Sequence, residues 1–224
     1  MSDDQQNCAP KMPRILSLDI AHKLGWAEGA INDTPVSGSL FLGGRQADII
    51  DRCIALEDWL ADRLSFRPDI LAIEAPIPLA AMGGMATEAV VFATLGMSLV
   101  ARVQAQRSGM PSSRVQLYKP QDVRQHYVGV RTFKVKNHGK RACALKSQEI
   151  GWQVNDFDAS DAVALWDLAC AKVAPSVYAR GHSATFTGRM PSTFTGRMPS
   201  TFRSFIGKND PRPKSAGPLF KDMT

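Results

Sequence analysis

The chain has few of the features that mark secreted, membrane-spanning or zinc-binding proteins. Its 224 residues include only four cysteines, widely scattered and without a Cys-x-x-Cys pair. This excludes a disulfide framework or a cysteine zinc site and is typical of reduced thiols. No stretch approaches ~20 consecutive apolar residues, so we expect no membrane span and no membrane partner. The segment 1–7 lacks the basic and apolar regions of a signal peptide. These absences predict a cytoplasmic protein.

The common short catalytic signatures are also missing. The sequence contains no Walker loop, no dinucleotide-binding fingerprint and no Ser-His-Asp arrangement. Its histidines are few, and we interpret His22, His126 and His138 as polar surface residues. The chemistry of the protein therefore has to be inferred from its acidic and basic side chains.

The formal net charge of +6 is distributed unevenly along the chain. Residues 1–110 carry a net charge of −4, and residues 111–150 carry nine basic and two acidic residues, a net of +7. Residues 151–174 return to −3, and the remainder carries +6. Basic segments that flank an acidic region are the pattern expected of a protein that holds a polyanion with Lys and Arg. A solvated surface loop at 131–141 is the alternative.

Hydrophobic periodicity predicts a mixed α/β sheet with helices on its faces. Short apolar runs indicate buried strands, and longer runs with helical spacing indicate amphipathic helices. The predicted strands are 14–20, 25–30, 36–42, 70–74 and 114–118. The predicted helices are 45–65, 87–107, one beginning at Pro120, and 158–173. We place a leader at 1–12, the folded domain at 13–174 and a flexible basic tail at 175–224, which contains the repeated octapeptide TFTGRMPS.

Four carboxylates occupy notable positions in these elements. Asp19 and Glu74 each close an apolar strand, and Asp158 and Asp161 lie three residues apart on one face of the late helix. Buried carboxylates are costly unless they bind a cation or a partner. Magnesium prefers oxygen ligands, and a pair of such ions can drive attack of water on a phosphodiester. Together the four residues predict a divalent-metal site.

Each carboxylate also has a simpler explanation when it is considered alone. A strand-end Asp is often a turn residue, Asp158 precedes an apolar helical run as an N-cap does, and Asp161 is a first-turn acid favoured by the helix dipole. The coincidence of all four residues favours a single metal site.

The motifs resemble those of the RuvC-type Holliday-junction resolvases, including their phage variants. The resemblance begins with Ile15–Ala27 and continues through Glu74-Ala75-Pro76 and the segment Thr94–Met97. It extends over Tyr118–Gly129 and ends with Asp158–Leu165, so that it covers about residues 14–173 in order.

This resemblance implies an RNase H-like fold, with a mixed five-stranded sheet, and an endonuclease that cleaves branched DNA with two Mg²⁺ or Mn²⁺ ions per active site. The family's catalytic carboxylates correspond to Asp19, Glu74, Asp158 and Asp161, and a catalytic lysine corresponds to Lys140. The residues predicted to bind DNA are Lys119, Arg124, Arg131, Lys134, Lys136, Lys140 and Arg141.

Two departures from the family pattern concern junction recognition. The family often has an aromatic residue three positions after the strand-end Glu, where this chain has Ile77. The insert 130–137 is also long and basic. Cleavage chemistry and junction recognition are therefore separate predictions for this chain.

Three other classes of protein remain as alternatives. A sugar-kinase or actin-like ATPase needs a second similar half, for which the chain has no room. A non-catalytic junction-binding module would have lost one or more carboxylates. Another RNase H-like nuclease, such as an RNA:DNA-hybrid cutter or a transposase, is not separated by sequence.

The sequence also predicts a homodimer. A four-way junction presents two equivalent strands, and a two-fold dimer matches a two-fold substrate. The helix 87–107 carries more apolar residues than one sheet face requires. These residues are Val90, Val91, Leu95, Met97, Leu99 and Val100.

Overall fold

The computed structural model describes residues 11–44, 46–76, 85–134 and 137–182, and within them five strands form a single sheet. All of these residues belong to one compact unit, 1–190. The strands are β1 (Arg14–Asp19), β2 (Lys23–Ala30), β3 (Val36–Phe41), β4 (Ile70–Glu74) and β5 (Val115–Tyr118). Their order is β3-β2-β1-β4-β5, with β1 in the centre. β1 and β2, and β2 and β3, are antiparallel, whereas β4 is parallel to both β1 and β5.

Six helices surround the sheet in the described part of the chain. They are α1 (Ile49–Ser65), α2 (Met85–Arg107), α3 (Pro120–Val128), α4 (His138–Glu149), α5 (Phe157–Val173) and α6 (Pro175–His182). A short 3-10 turn, Ser112–Arg114, leads into β5. α1 starts with a capping box in which Asp48 and Asp51 satisfy each other's backbone N–H groups. Gly129 ends α3 in the left-handed conformation that glycine adopts without strain.

Successive side chains of the central strands point to opposite faces of the sheet, so the core consists of two layers. In β1, Leu16 and Leu18 pack with α1 and α2 on one face of the sheet, whereas Ile15 packs on the other face with α3, α4 and α5. In β4, Leu71 belongs to the first layer and Ala72 to the second. Because successive strand residues point to opposite faces, Asp19 and Glu74 point to the α5 side.

The predicted sheet with helices on both faces is confirmed, and most boundaries lie within four residues of the prediction. α4 had no counterpart among the predicted elements. α6 continues the folded part beyond residue 174, where we placed the end of the domain, and Val177 and Tyr178 pack against the core. The leader 1–10, Ile77 and the rest of the predicted tail, 183–224 with its repeat, lie outside the described residues.

Gly25 allows helix α5 to lie directly on β2. A Cβ atom at this position would be 2.1 Å from the backbone oxygen of Asp158. Gly25 pairs with Asp19 across the sheet, so the close approach brings the start of α5 beside the end of β1. A side chain at residue 25 would push apart the two elements that carry Asp19 and Asp158.

We therefore expect Gly25→Ala to lower the free energy of unfolding by about 3 kcal/mol, because the added methyl meets rigid backbone. Gly44→Ala is the matched control, since no atom lies within 4 Å of the Cβ position at Gly44. Urea denaturation of the two variants measures the difference. Equal stability of the two variants would show that α5 shifts freely away from β2.

Helix α2 has one buried side and one exposed apolar side. Met97, Ala101 and Ala105 are buried against α1 and the sheet. The opposite side exposes four large apolar residues, namely Phe92, Leu95, Leu99 and Val103. By length and composition alone, Ala89–Arg107 is also apolar enough to cross a membrane, with a mean hydropathy of 1.3. The buried side of α2 is that of a core helix, and the absence of a membrane span stays a prediction.

Candidate active site

Asp19 and Glu74 lie together at one edge of the sheet. β1 and β4 are parallel neighbours, with Leu18 paired to Ile73, so their carboxyl ends meet at the same edge. Both strands direct their final side chain toward α5. Asp19 is buried and Glu74 is partly exposed. The structure thus brings these two predicted site residues into one cavity.

Helix α5 brings the other two carboxylates to the same edge. Its residues from Ala159 to Cys170 are all buried, so the helix is fixed in the core. The Ser17 hydroxyl lies 2.8 Å from the Ala162 carbonyl oxygen and 3.1 Å from that of Ala27, which ties α5 to β1 and β2. Asp161 is buried, whereas the Asp158 side chain is 22% exposed.

The N-cap of α5 is Asp156 rather than Asp158. Its carboxylate accepts a hydrogen bond from the Ala159 N–H at 2.8 Å. It also accepts hydrogen bonds from the Lys23 ammonium and the Ser39 hydroxyl. Burial raises the pKa of Asp156, but these hydrogen bonds outweigh burial and lower it below its ordinary value. The helix start is thus fastened to the β2–β3 hairpin, and the capping explanation for Asp158 is wrong.

Lys140 lies inside the group of carboxylates. Its ammonium nitrogen is 2.7 Å from Asp158 Oδ1 and 3.3 Å from Asp161 Oδ2. Burial disfavours its charge, but the nearby carboxylates of Asp161, Asp19 and Asp158 outweigh burial and raise the pKa of Lys140. The side chain therefore stays charged at neutral pH. Lys140 comes from α4, so three helices and two strands contribute to this edge once Arg124 of α3 is included.

A cavity of about 220 Å³ opens between the carboxylates and the start of α2. The side chains of Asp19, Glu74 and Asp161 line it, together with Arg124 and Lys140. Gly139 makes room for the arginine, because a Cβ there would lie only 3.0 Å from Arg124 Nε. The remaining wall is formed by small and apolar groups of Ile20, Ala21, Ala75, Val90, Val91 and Thr94.

The protein alone balances this negative charge incompletely. Two effects raise the pKa of Asp19 to about 7: burial is the larger, and repulsion from the Asp161 carboxylate is the second. The charge of Lys140 opposes this shift. Burial and the neighbouring carboxylates of Asp19 and Asp161 raise the pKa of Glu74 as well. Burial raises the pKa of Asp161 against the effect of Lys140 and Arg124. The site therefore favours an additional positive charge.

The donor chemistry of the site fits a hard divalent cation. The side chains that face one another here are carboxylates, which are the ligands that Mg²⁺ and Mn²⁺ prefer. Among the described residues, no three Asp, Glu, His or Cys side chains are arranged as a formed metal site. The Lys140 ammonium, in contact with both Asp158 and Asp161, instead supplies a balancing charge.

The raised pKa of Asp19 makes stability depend on pH. Because its folded pKa of about 7 exceeds the ordinary value of 3.8, the folded state binds the proton more tightly than the unfolded state. The associated stability is complete at low pH and is lost as pH rises toward 7. In metal-free buffer we expect Asp19→Asn to raise the melting temperature by about 5 °C near pH 8 and less near pH 5.

Thermal melts of wild type and variant in EDTA across this pH range measure the effect. Asp62→Asn, an exposed change on α1, is the control and should leave the pH profile unchanged. A constant difference between wild type and Asp19→Asn at all pH values would contradict the explanation.

The structure separates the other predicted DNA-binding residues from the cavity. Arg131 forms a 3.1 Å ion pair with Asp122, and both side chains are largely exposed. Lys119 lines a different cleft beside β5, with Asp122 and His126. Lys134 is exposed and Arg141 is partly buried. Lys136 lies outside the described residues. Among the described members of the basic set, Arg124 and Lys140 alone line this cavity.

Two polar residues of the site region were missed in the sequence. Lys23 and Asp156 form an ion pair, and the Lys23 ammonium is also 3.9 Å from Asp158 Oδ2. The two residues are 133 positions apart, so local patterns carry no sign of the contact. The position of Asp156, three residues before the amide that it caps, was the available signal for an N-cap.

Comparison with known proteins identifies the fold. No family model and no curated protein matches the chain. The RuvC structure of Thermus thermophilus is 21% identical with a TM-score of 0.52, over 77% of this chain and 97% of that chain. T. thermophilus RuvC in complex with Holliday junction substrate is 21% identical with a TM-score of 0.51, over 68% and 90%. The yeast mitochondrial Holliday junction resolvase Ydc2 scores lower, at 0.42 and 12% identity over 70% and 78%. The chain therefore has the RNase H-like fold of RuvC, as predicted.

Proposed function

We propose that the protein is a metal-dependent endonuclease that cleaves four-way DNA junctions. The observation that carries this proposal is the convergence of four carboxylates and two cations on one edge of a RuvC-like sheet. The carboxylates come from β1, β4 and α5, and the cations are Lys140 and Arg124. T. thermophilus RuvC, which shares the fold, has been observed in complex with Holliday junction substrate. Buried acids beside basic groups suit hydrolysis of a phosphodiester in a polyanion.

The residues have distinct roles in this proposal. Asp19, Glu74, Asp158 and Asp161 would hold Mg²⁺ or Mn²⁺, two ions per site. Bound metal would supply a water nucleophile of lowered pKa and stabilise charge on the leaving oxygen. Asp19 is central because it projects from the middle strand. Arg124 and Lys140 would contact phosphate oxygens beside the scissile bond, where positive charge stabilises the transition state.

The substrate is tested by offering one enzyme preparation three nucleic acids. A four-way junction, a linear duplex of the same sequence and an RNA:DNA hybrid are each incubated with Mg²⁺, Mn²⁺ or EDTA. We expect paired incisions in the junction with either metal, and little cleavage of the duplex. If the hybrid is cleaved faster than the junction, the substrate of the enzyme is an RNA:DNA hybrid and not a four-way junction. Cleavage in EDTA would contradict metal dependence.

We also propose that two copies associate through the exposed apolar side of α2. Phe92, Leu95, Leu99 and Val103 form this surface, a contiguous row of exposed apolar side chains. Gly96 lies within it, and its Cβ position has no atom within 4 Å, so a second helix can approach closely. A second copy is the occupant favoured by the proposed substrate, since a junction has two equivalent strands to cut.

Leu99→Glu should convert a dimer into a monomer, because it places a charge in the centre of this surface. Ile54→Glu on α1 is the control; Ile54 is exposed to 53% and Leu99 to 49%. Sedimentation at micromolar concentration should give twice the chain mass of 24.4 kDa for wild type and Ile54→Glu. A monomeric wild type, with and without junction DNA, would overturn the dimer. Co-sedimentation with lipid vesicles instead would assign the surface to a membrane.

A further inference from the structure

Phe41 is an exposed aromatic residue on the active-site edge of the sheet. It ends β3 and is 62% exposed. Across the sheet Asp19 pairs with Gly25, and Gly25 pairs with Ser39. Phe41 lies two residues beyond Ser39 in the direction in which β1 ends, so its side chain is on the same face as that of Asp19. Two strand spacings and two residue rises place its Cα roughly 12 Å from that of Asp19.

The neighbours of Phe41 hold the ring and place an ammonium group beside it. The ring centroid of His22 lies 5.6 Å away at a tilt of 57°, and the Lys23 ammonium lies 5.4 Å from the ring centroid. Lys23 is fixed in turn by its ion pair with Asp156, the residue that caps α5. The ring is therefore anchored, through one lysine, to the helix that carries Asp158 and Asp161.

This combination matches the chemistry of unpaired nucleic acid. Every base has an apolar face that stacks on an aromatic ring, and the adjacent phosphate is attracted by a nearby cation. The distance from Asp19 corresponds to about three or four stacked base steps of ~3.4 Å each. A phosphate bound among the carboxylates would thus have bases of the same strand within reach of Phe41. The exposed side of α2 belongs to the other face of the sheet, so the proposed dimer does not account for Phe41.

We propose that Phe41 is the stacking platform for an unpaired base of the strand that is cut, with His22 and Lys23 beside the neighbouring phosphates. The inference rests on the proposed function and adds a base-binding site on β3 to it. The strands of a four-way junction exchange partners at the crossover, where a base is more easily unpaired than in a duplex. Stacking at this position would favour a junction over a linear duplex.

The test uses four-way junctions that carry the fluorescent base 2-aminopurine at single positions within the first few nucleotides of the cut site. Titration of the full-length protein in EDTA gives binding without cleavage. With wild type, one labelled position should be quenched by the aromatic ring. Phe41→Ala and Phe41→Leu should abolish that quenching and weaken junction affinity about 10-fold, as expected for one lost stacking contact. Phe41→Tyr should restore both, and duplex affinity should not change.

Phe66→Ala is the matched control. Phe66 is 64% exposed and caps the end of α1, at the opposite end of the sheet. It should behave as wild type. Wild-type quenching and affinity for Phe41→Ala and Phe41→Leu would overturn the base-binding site alone, provided that wild type cuts the junction in Mg²⁺. If wild type neither binds nor cuts the junction, both the site and the proposed function are overturned.

Discussion

Asp19→Asn should abolish junction cleavage while junction binding stays close to that of the wild type. The amide keeps the shape of the side chain but removes the negative charge nearest the centre of the site. We expect the rate to fall by about 10³-fold, equivalent to ~4 kcal/mol of transition-state stabilisation. Arg124 and Lys140, the cations proposed to contact DNA, are retained, so affinity should change little. Single-turnover cleavage in Mg²⁺ and binding in EDTA measure the two effects separately.

Asp62→Asn provides the comparison for this variant, because Asp62 is an exposed carboxylate on α1, away from the cavity. It should cut at the wild-type rate. If Asp19→Asn also cuts at the wild-type rate in Mg²⁺, the assignment of the active site is wrong. If Asp19→Asn loses binding as well as cleavage, Asp19 contributes to the shape of the DNA site.

Lys140→Ala should reduce the rate of cleavage at saturating DNA about 100-fold, since a cation beside the scissile phosphate stabilises charge in the transition state. Its position explains why the effect exceeds that of a surface lysine. The Lys140 side chain is about one-third exposed and contacts Asp158 and Asp161. Lys140→Arg should recover part of the rate because it keeps the charge.

Lys134→Ala is the control, since Lys134 is exposed and does not line the cavity. Loss of one phosphate contact should weaken binding and reduce the salt slope by about one unit, with no effect on the rate at saturation. Cleavage by wild type, Lys140→Ala and Lys134→Ala at two salt concentrations distinguishes the two roles. A normal rate for Lys140→Ala would restrict Lys140 to charge balance in the free protein.

The sheet was predictable because its pattern is local. The runs that became β1 and β4 are almost wholly apolar, as expected of strands covered on both faces. α4 was not predicted because basic residues interrupt its apolar side. Cys143, Ala144 and Leu145 are buried there, and Lys146 is buried beside them. A surface helix of this kind takes its stability from packing rather than from a clean amphipathic pattern.

The candidate site likewise has one part that was predictable from the sequence and one part that was not. The positions of the four carboxylates at strand ends and on one helical face were enough to predict a single site. Each of these positions follows from local structure. The contacts of Asp156 with Lys23 and Ser39 span more than 115 residues, and sequence periodicity contains no information about them. Burial, which raises the pKa of Asp19, likewise depends on where α5 lies on the sheet.

The central position of β1 has a consequence for amide hydrogen exchange. β1 is hydrogen-bonded on both sides, to β2 and β4, and α5 is buried along most of its length. Backbone amides around Asp19 and Asp161 should exchange only through global unfolding. Helix α4 begins at His138, and its N-cap residue Asn137 makes no side-chain capping hydrogen bond. The first-turn amides near Lys140 therefore lack helical partners and should exchange much sooner. The acidic groups are thus held by slowly opening backbone, whereas the cation beside them lies on backbone that opens sooner and can adjust to a bound ligand.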